Sequence, residues 1–299
     1  ARCTNKSKRS SAKREVALPP ALRHSEIRKE GICMEKTVAA VGFCCADVYE
    51  KLNKFYPTGN GIDWGVHLAR MGVPVSVVSV VGTDSYGEKM KEALAAEHID
   101  ISHLRTEEGD TCKMMMDLKN GTDRVHLEEI EGVMKNYALT EEEFNFVARH
   151  SMLHTDLFGK VLDKLPAWKE KGVEVVMDFS VFSEDPEYEC EKLFPYVDYV
   201  FLSYDGKKDD HIKEWVKKIH SYGPKLVTAT MGELGSICYD GTTLHEFGIV
   251  PTRVVNTVGA GDSYIAGFTY GILNGWSVPA CMQKGAEVSS AVVSKFEPY

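Results

Sequence analysis

Seven residues near the end of the sequence have the types and spacing to bind a transferring phosphoryl group. They run from Asn256 to Asp262 and directly precede a segment with helical periodicity. A glycine-rich turn that enters a helix gathers free backbone N–H groups and the positive end of the helix dipole, which together suit an anion. We expect an ionised Asp262 carboxylate beside that anion, where it could act as a general base. The alternative is that Asp262 only caps the helix and that the glycines only form a tight turn.

An earlier turn has a related pattern. Thr58-Gly59-Asn60-Gly61 precedes Ile62, Val66 and Ala69, which repeat at helical spacing. Asn60 and Asp63 carry short polar side chains that could hydrogen-bond hydroxyl groups. By itself this pattern also fits an ordinary helix start, so it identifies no ligand.

The elements around these turns alternate between strand and helix signals from residue 37 onward. Short apolar runs of this kind form parallel strands that are covered on both faces, and they occur at 37–41, 75–81, 173–177, 199–202 and 225–229. Helical patterns lie between them at 85–97, 140–149, 159–171 and 209–221. The sequence therefore predicts an α/β fold with a mostly parallel central sheet, whose ligands bind at the carboxyl ends of the strands.

One segment departs from that alternation. Residues 111–134 alternate polar and apolar residues around Asn120-Gly121, which predicts an exposed β-hairpin that could serve as a lid. Arg124 on this hairpin could meet an acidic substrate group or could be a solvent-exposed side chain. Met114 to Met116 are interpreted as a lid face or as a homodimer contact.

Composition excludes several classes of protein. The 299 residues are 43% hydrophobic and 26% charged, as in a globular chain, and the net charge of −9 argues against a nucleic-acid surface. No apolar run has the length of a membrane span. The eight cysteines lack metal-ligand spacing, which favours reduced packing residues and a cytoplasmic location.

The first 33 residues differ from the rest of the sequence. They carry nine Lys or Arg against three Glu, and they lack apolar periodicity. We interpret residues 1–33 as a disordered or non-native extension and residues 34–299 as the folded domain, with Met34 as a natural start. A transit peptide is the alternative.

Taken together, the motifs resemble those of the ribokinase-like (PfkB) family of carbohydrate kinases. The resemblance rests on Thr257 to Ser263, the Thr58-Gly59-Asn60 turn, Asp47 after the first strand, and the loop from Thr230 to Ser236. It extends over residues 36–299 and implies a three-layer α/β/α sandwich with a small β lid, formed near 48–58 and 111–134.

The resemblance also implies an activity and a set of site residues. The activity is ATP-dependent phosphorylation, with Mg²⁺, of a primary hydroxyl on a small sugar or sugar-amine, for which fructoselysine is one candidate. Asp262 would be the general base, and Gly259, Ala260 and Gly261 would form the anion hole. The implied sugar-binding residues are Asp47, Gly59, Asn60 and Asp63, and the implied nucleotide-binding residues are Thr230, Gly232, Glu233 and Gly235.

The sequence departs from the family pattern at three places. Thr58 and Asp63 replace a Gly and an Asn, which indicates a shifted substrate preference. Asn256 replaces an Asp, which makes activation by a monovalent cation doubtful. The Asn-x-x-Glu element that organises Mg²⁺ would align near 203–206 and does not match there, so no metal ligand is identified.

These departures leave other functions open. One alternative is a non-catalytic sugar or nucleotide sensor on the same fold, and another is a PfkB-family kinase for a different sugar or a nucleoside. A nicotinamide oxidoreductase is disfavoured, because Gly59-Asn60-Gly61 lacks the GxGxxG spacing and does not end the first strand.

Overall fold

A nine-stranded sheet forms the body of the protein in the computed structural model, which describes residues 36–119 and 123–299. The predicted basic extension and the Asn120-Gly121 turn lie outside the described residues. The strands are β1 (Val38–Val41), β2 (Cys45–Tyr49), β3 (Lys54–Thr58), β4 (Val75–Gly82), β5 (Asp100–Glu107), β6 (Lys113–Lys119), β7 (Asp123–Ile130), β8 (Met152–Asp156), β9 (Glu174–Asp178), β10 (Tyr199–Ser203), β11 (Leu226–Thr230), β12 (Ser236–Tyr239) and β13 (Leu244–Phe247). The α-helices are α1 (Asn60–Arg70), α2 (Ser85–Ala96), α3 (Glu141–Val147), α4 (Leu165–Glu170), α5 (Asp210–His220), α6 (Ala260–Leu273) and α7 (Val278–Val293).

The large sheet is mostly parallel, as predicted. Its strand order is β13-β12-β11-β10-β9-β8-β1-β4-β5, and only the pairs β11–β12 and β12–β13 are antiparallel. The five apolar runs identified from the sequence all form strands of this sheet. Because the parallel strands run in one direction, their carboxyl ends meet at a single edge.

Helices cover both faces of the sheet and give the predicted three layers. In β1, Ala39 and Val41 pack in a core with α3, α4 and α5, which contribute residues such as Trp168 and Val216. Val38 and Ala40 face the other way and pack with α1, α2, α6 and α7. Alternate residues of a strand point to opposite faces, so a strand that is apolar throughout requires helices on both sides.

The predicted hairpin belongs to a second, smaller sheet. Strands β6 and β7 pair antiparallel, and the sheet order β3-β2-β6-β7 joins them to the strands on either side of residues 50–53. Met116 is buried in an apolar cluster with Tyr49 and Val258, so it contributes to a lid face. The homodimer contact stays a prediction.

Two predictions about elements were incomplete. The helix expected over 159–171 is reduced to a 3-10 turn, Leu162–Lys164, and α4, with Pro166 in its first turn. Strand β8 was missed, because His154, Thr155 and Asp156 follow only two apolar residues. No helix among the described residues is long and apolar enough to cross a membrane. The six described cysteines are buried free thiols, as expected.

Candidate active site

Polar residues gather where the parallel strands end. Asp156 ends β8 and lies in register with Asp178, which ends β9. Ser203 at the end of β10 is likewise in register with Thr230 on β11. A narrow crevice at this edge is lined by Asp178, Ser203, Thr230 and Gly261, together with apolar residues. The structure thus brings the predicted anion hole and part of the predicted nucleotide loop to one crevice.

The Gly259 turn begins α6. Gly259 is the N-cap residue, with φ of 70°, and no side chain caps this helix start. Asp262 lies inside the first turn and does not cap the helix, so the alternative in which it serves only as a cap is wrong. Within the described residues the backbone N–H groups of Gly259, Gly261 and Asp262 donate to no backbone carbonyl, whereas the Ala260 N–H donates to the Thr257 carbonyl at 3.3 Å. Free donors at the positive end of a 14-residue helix make an anion site.

The Asp262 carboxyl group lies at this helix start with little access to solvent. It is 9% exposed, and no side chain in the described part of the protein hydrogen-bonds to it. Burial, followed by the nearby Asp178 carboxylate, raises the pKa of Asp262 to about 7, while Arg124 lowers it. A carboxylate with a pKa near neutrality and no side-chain partner is suited to accept a proton from a hydroxyl group.

The Thr58-Gly59 turn begins α1 in a comparable way. Gly59 is the N-cap with φ of 136°, and an added Cβ there would lie 2.7 Å from the Phe43 carbonyl oxygen. The Thr58 hydroxyl donates to the Asp63 carboxylate, at 2.9 and 2.8 Å from its two oxygens. Asn60 Nδ2 donates to Asp178 Oδ2 at 3.1 Å. Asn60 therefore connects this turn to the crevice.

Asp47 reaches the site from strand β2 of the lid. It is 7% exposed, and within the described residues no hydrogen bond to its carboxylate is formed. Burial raises the pKa of Asp47 to about 7, and Arg124 on β7 opposes that rise. Burial also raises the pKa values of Asp63 and Asp178, and the charge of the exposed Arg124 opposes both rises. The lid hairpin thus holds a cation over a group of buried carboxylates.

The predicted nucleotide loop follows β11. Thr230 ends the strand, and Gly232–Leu234 form a 3-10 turn that closes with the Met231 N–H donating to the Gly235 carbonyl at 2.8 Å. An added Cβ at Gly235 would lie 2.1 Å from the Phe247 carbonyl oxygen, so the loop packs closely against the end of β13. Thr230 lines the crevice, whereas Glu233 is exposed beyond it.

Two carboxylates at the strand ends, Asp178 and Asp156, were not predicted as site residues. A strand-end Asp such as Asp178 is typical of a turn residue, and its Oδ1 does accept from the Ser180 N–H at 2.8 Å, but its Oδ2 accepts from Asn60. Asp156 was not singled out, although burial raises its pKa to about 7. Their position at strand ends was the available signal for both, and the missed strand β8 concealed Asp156.

The residues of the site do not form a metal cage. Among the described residues, no group of three or more His, Cys, Asp or Glu side chains could hold a metal ion by itself. Magnesium in nucleotide sites is held largely by phosphate oxygens and water, with one or two carboxylates. Asp178 at the crevice fits that limited part.

Comparison with known proteins places the chain in a family. The sequence pattern described as pfkB family carbohydrate kinase matches residues 45–299. A fructoselysine 6-kinase of Shigella flexneri is 34% identical over 258 residues, which cover 86% of this chain and 97% of that protein. A fructosamine kinase, FrlD, of Bacillus subtilis (strain 168) is 29% identical over 254 residues, which cover 84% of this chain and 88% of that protein.

Solved structures share the fold at lower identity. A ribokinase of Arabidopsis thaliana complexed with ribose and ATP has a TM-score of 0.73 at 18% identity, over 87% of this chain and 93% of that one. A probable sugar kinase from Rhizobium etli CFN 42 has a TM-score of 0.75 at 18% identity, over 88% and 94%. The resemblance inferred from the motifs is confirmed: the chain belongs to the pfkB family and is an ATP-dependent carbohydrate kinase.

Proposed function

We propose that this kinase transfers the γ-phosphoryl group of ATP to a primary hydroxyl of a sugar-amine, with fructoselysine as the leading candidate. Asp262 would take the hydroxyl proton, and the free N–H groups of Gly259 and Gly261 would stabilise the charge on the transferring group. The Ala260 N–H would join them once released from the Thr257 carbonyl, to which it donates at 3.3 Å. The observation that carries the proposal is that a buried carboxylate without a side-chain partner lies beside free backbone N–H donors at the start of α6.

The sugar side of the proposal rests on Asp47 and the α1 turn. A buried carboxylate without a partner is costly, so ligand hydroxyl groups that donate to Asp47 would be favourable. Asn60 offers a further polar group beside Asp178. Gly59 lets the backbone come close to the sugar, and Asp63 holds the turn through Thr58. These four residues would fix the sugar so that its hydroxyl meets Asp262.

The preference for an amine rests on charge. Asp47, Asp156 and Asp262 are buried carboxyl groups with pKa values raised to about 7. Raised pKa values indicate an environment in which more positive charge would be favourable, as a protonated substrate amine would supply. The relatives named as fructoselysine 6-kinase and fructosamine kinase agree with such a substrate.

On the nucleotide side, Thr230, Gly232, Glu233 and Gly235 would bind ATP along the crevice that leads to Gly261. Mg²⁺ held mainly by the ATP phosphates would supply charge neutralisation, with Asp178 nearby. The neutral Asn256 amide supports our proposal that no monovalent cation is needed. The kcat should therefore be equal in potassium and tetramethylammonium salts.

The test is ADP formation with a panel of acceptors. Fructoselysine should give a kcat/KM well above that of fructose, because fructose is the matched acceptor without the amine and its side chain. Adenosine, ribose and fructose 6-phosphate complete the panel. Preference for a nucleoside or a phosphorylated sugar would overturn the substrate, whereas thermal stabilisation by ATP and sugar without ADP formation would favour the sensor.

A further inference from the structure

The four residues Phe296–Tyr299, which follow α7 and which we call the clasp segment, contact three parts of the site. Asn256 Nδ2, three residues before Gly259, donates to the Phe296 carbonyl at 2.9 Å. The Tyr299 hydroxyl donates to the Pro57 carbonyl on lid strand β3 at 2.7 Å. A ring nitrogen of His67 on α1 lies 3.2 Å from the Pro298 carbonyl oxygen. The clasp segment thus joins the anion-hole turn, the lid and the sugar-side helix.

The Asn256 side chain uses both ends of its amide. Nδ2 donates to Phe296 O, while Oδ1 accepts from the Val258 N–H at 3.1 Å, and the residue is 1% exposed. The amide supplies a donor at one end and an acceptor at the other, whereas an ionised carboxylate of the same shape would place a second acceptor against the Phe296 carbonyl. The two hydrogen bonds link Val258, the residue before Gly259, through Asn256 to the clasp segment.

Apolar packing supports the same connection. Val258 is buried in a cluster with Tyr49 and Met116 of the lid, and the Tyr49 and Phe296 rings lie 5.5 Å apart. Gly259 also touches the clasp segment, because an added Cβ there would lie 3.0 Å from the Pro298 carbonyl oxygen. The anion-hole turn therefore lies between the lid and the clasp segment.

We propose that Asn256 is a positioning residue for phosphoryl transfer, which holds the Gly259–Gly261 turn on the clasp segment and so fixes the direction of its N–H groups. Donors stabilise a transition state only when they already point to where charge develops. The inference rests on the function proposed above. The two remain distinguishable, because failure of that function would leave the parent enzyme without ADP formation.

The test compares the substitution Asn256→Asp with Asn274→Asp. Asn274 is an exposed residue at the other end of α6, and its Nδ2 also donates to a backbone carbonyl, that of Tyr270, at 2.8 Å. Asn256→Asp should lower kcat about 100-fold, the order expected when reacting groups are displaced by about 1 Å. The KM for sugar should change little, and Asn274→Asp should match the parent. Equal kcat values for the two variants would overturn the proposal.

A pH series separates positioning from general damage to the fold. Once protonated, the carboxyl group introduced by Asn256→Asp can again donate to Phe296 O, so the ratio of its kcat to that of the parent should rise as the pH falls. Asn256→Ala lacks any donor and should show the loss without that recovery. The titratable or charged groups around this point are Tyr49, Lys54 and Tyr56 on the lid, His67 and Arg70 on α1, Asp262 on α6, and Lys295 and Glu297 beside Phe296. All are also present in Asn256→Ala, so a recovery that occurs in Asn256→Asp alone reports the introduced carboxyl group.

Folding is checked by the affinity of each variant for ADP. If Asn256→Asp binds no ADP, the Asn256→Ala variant decides: a lowered kcat with an unchanged sugar KM supports the proposal, and an unchanged kcat overturns it. A ratio that does not vary with pH for Asn256→Asp would also overturn it, because a merely structural change has no reason to be reversed by protonation.

Discussion

The starts of α1 and α6 use the same local design for different purposes. Both helices begin at a glycine with positive φ and no capping side chain, and both carry an aspartate in the first turn. Asp63 accepts from the Thr58 hydroxyl at both oxygens, whereas Asp262 has no side-chain partner within the described residues. The residue before each glycine explains the difference, because Thr58 can donate and Val258 cannot. One carboxylate is used for structure, and the other remains available for a substrate.

The two helix starts also differ in the space beside them. An added Cβ at Gly61, the second residue of α1, would lie 3.3 Å from the Ala40 Cβ. At Gly261, the second residue of α6, an added Cβ would meet no atom within 4 Å apart from its own helix and chain neighbours. Space beside α6 and close packing beside α1 indicate that the phosphoryl group would lie against the α6 turn.

Exchanging the Asp262 or the Asp63 carboxylate for an amide should give the largest difference in kcat between the two helix starts. Asp262→Asn should lower kcat about 100- to 10,000-fold, the range for loss of a general base. Asp63→Asn makes the same exchange at a buried neighbouring site and should act mainly on the sugar KM. Initial rates of ADP formation over a sugar concentration series measure both constants. Comparable losses of kcat would show that the two carboxylates do not differ in role.

The stability of Asp262→Asn supplies the control for folding. Burial raises the pKa of Asp262 in the folded protein to about 7, above the ordinary value of 3.8. The folded state therefore binds this proton more tightly than the unfolded state, and its stability falls as the pH rises from about 4 to about 7. The amide avoids that cost, so at pH 8 Asp262→Asn should have a higher Tm than the parent while being inactive. A lower Tm would attribute the lost activity to unfolding.

A methyl group at Gly261 tests the open space beside α6. Gly261→Ala should lower kcat about 100-fold, as for loss of one stabilising donor, because the methyl group would enter the volume assigned to the phosphoryl group. Alanine is favoured over glycine in a helix by about 1 kcal/mol, so the Tm should be equal or higher. Full activity in Gly261→Ala would move the phosphoryl site away from α6.

The pH dependence of kcat/KM tests whether Asp262 is the general base. A general base acts when ionised, so with Asp262 at a pKa of about 7, kcat/KM should fall about tenfold per pH unit below that value. It should level off above about pH 8. Arg124→Ala removes the charge that lowers the pKa of Asp262, so the midpoint of the profile should move upward. A profile that is flat between pH 5 and pH 8 would exclude Asp262 as the base.

The sequence predicted the elements whose signals are local. Apolar runs such as 75–81 formed strands because a two-sided core requires them, and the glycine turns began helices as expected. The clasp segment was not foreseen, since Tyr299 meets Pro57 across 242 positions and no local pattern marks such a contact. The carboxylate of Asp262 was identified, but whether it or Asp63 is already bonded depends on side-chain directions that spacing does not specify.

The smallest expected effect comes from making the α1 turn resemble the α6 turn. Thr58→Val removes the hydroxyl that donates to Asp63 and leaves a buried carboxylate without that partner. The free energy of unfolding should fall by about 1 to 3 kcal/mol, measured by denaturant titration, while kcat changes little.

Thr228→Val is the matched control, because the Thr228 hydroxyl is buried on β11 and forms no hydrogen bond within the described residues. The same exchange there should leave stability unchanged or raise it, since it removes a buried polar atom without a partner. If both variants lose equal stability, the Thr58 hydroxyl is not what holds Asp63. The different roles of Asp63 and Asp262 would then have to arise from the packing of Gly59 against Phe43. That difference would persist in Thr58→Val.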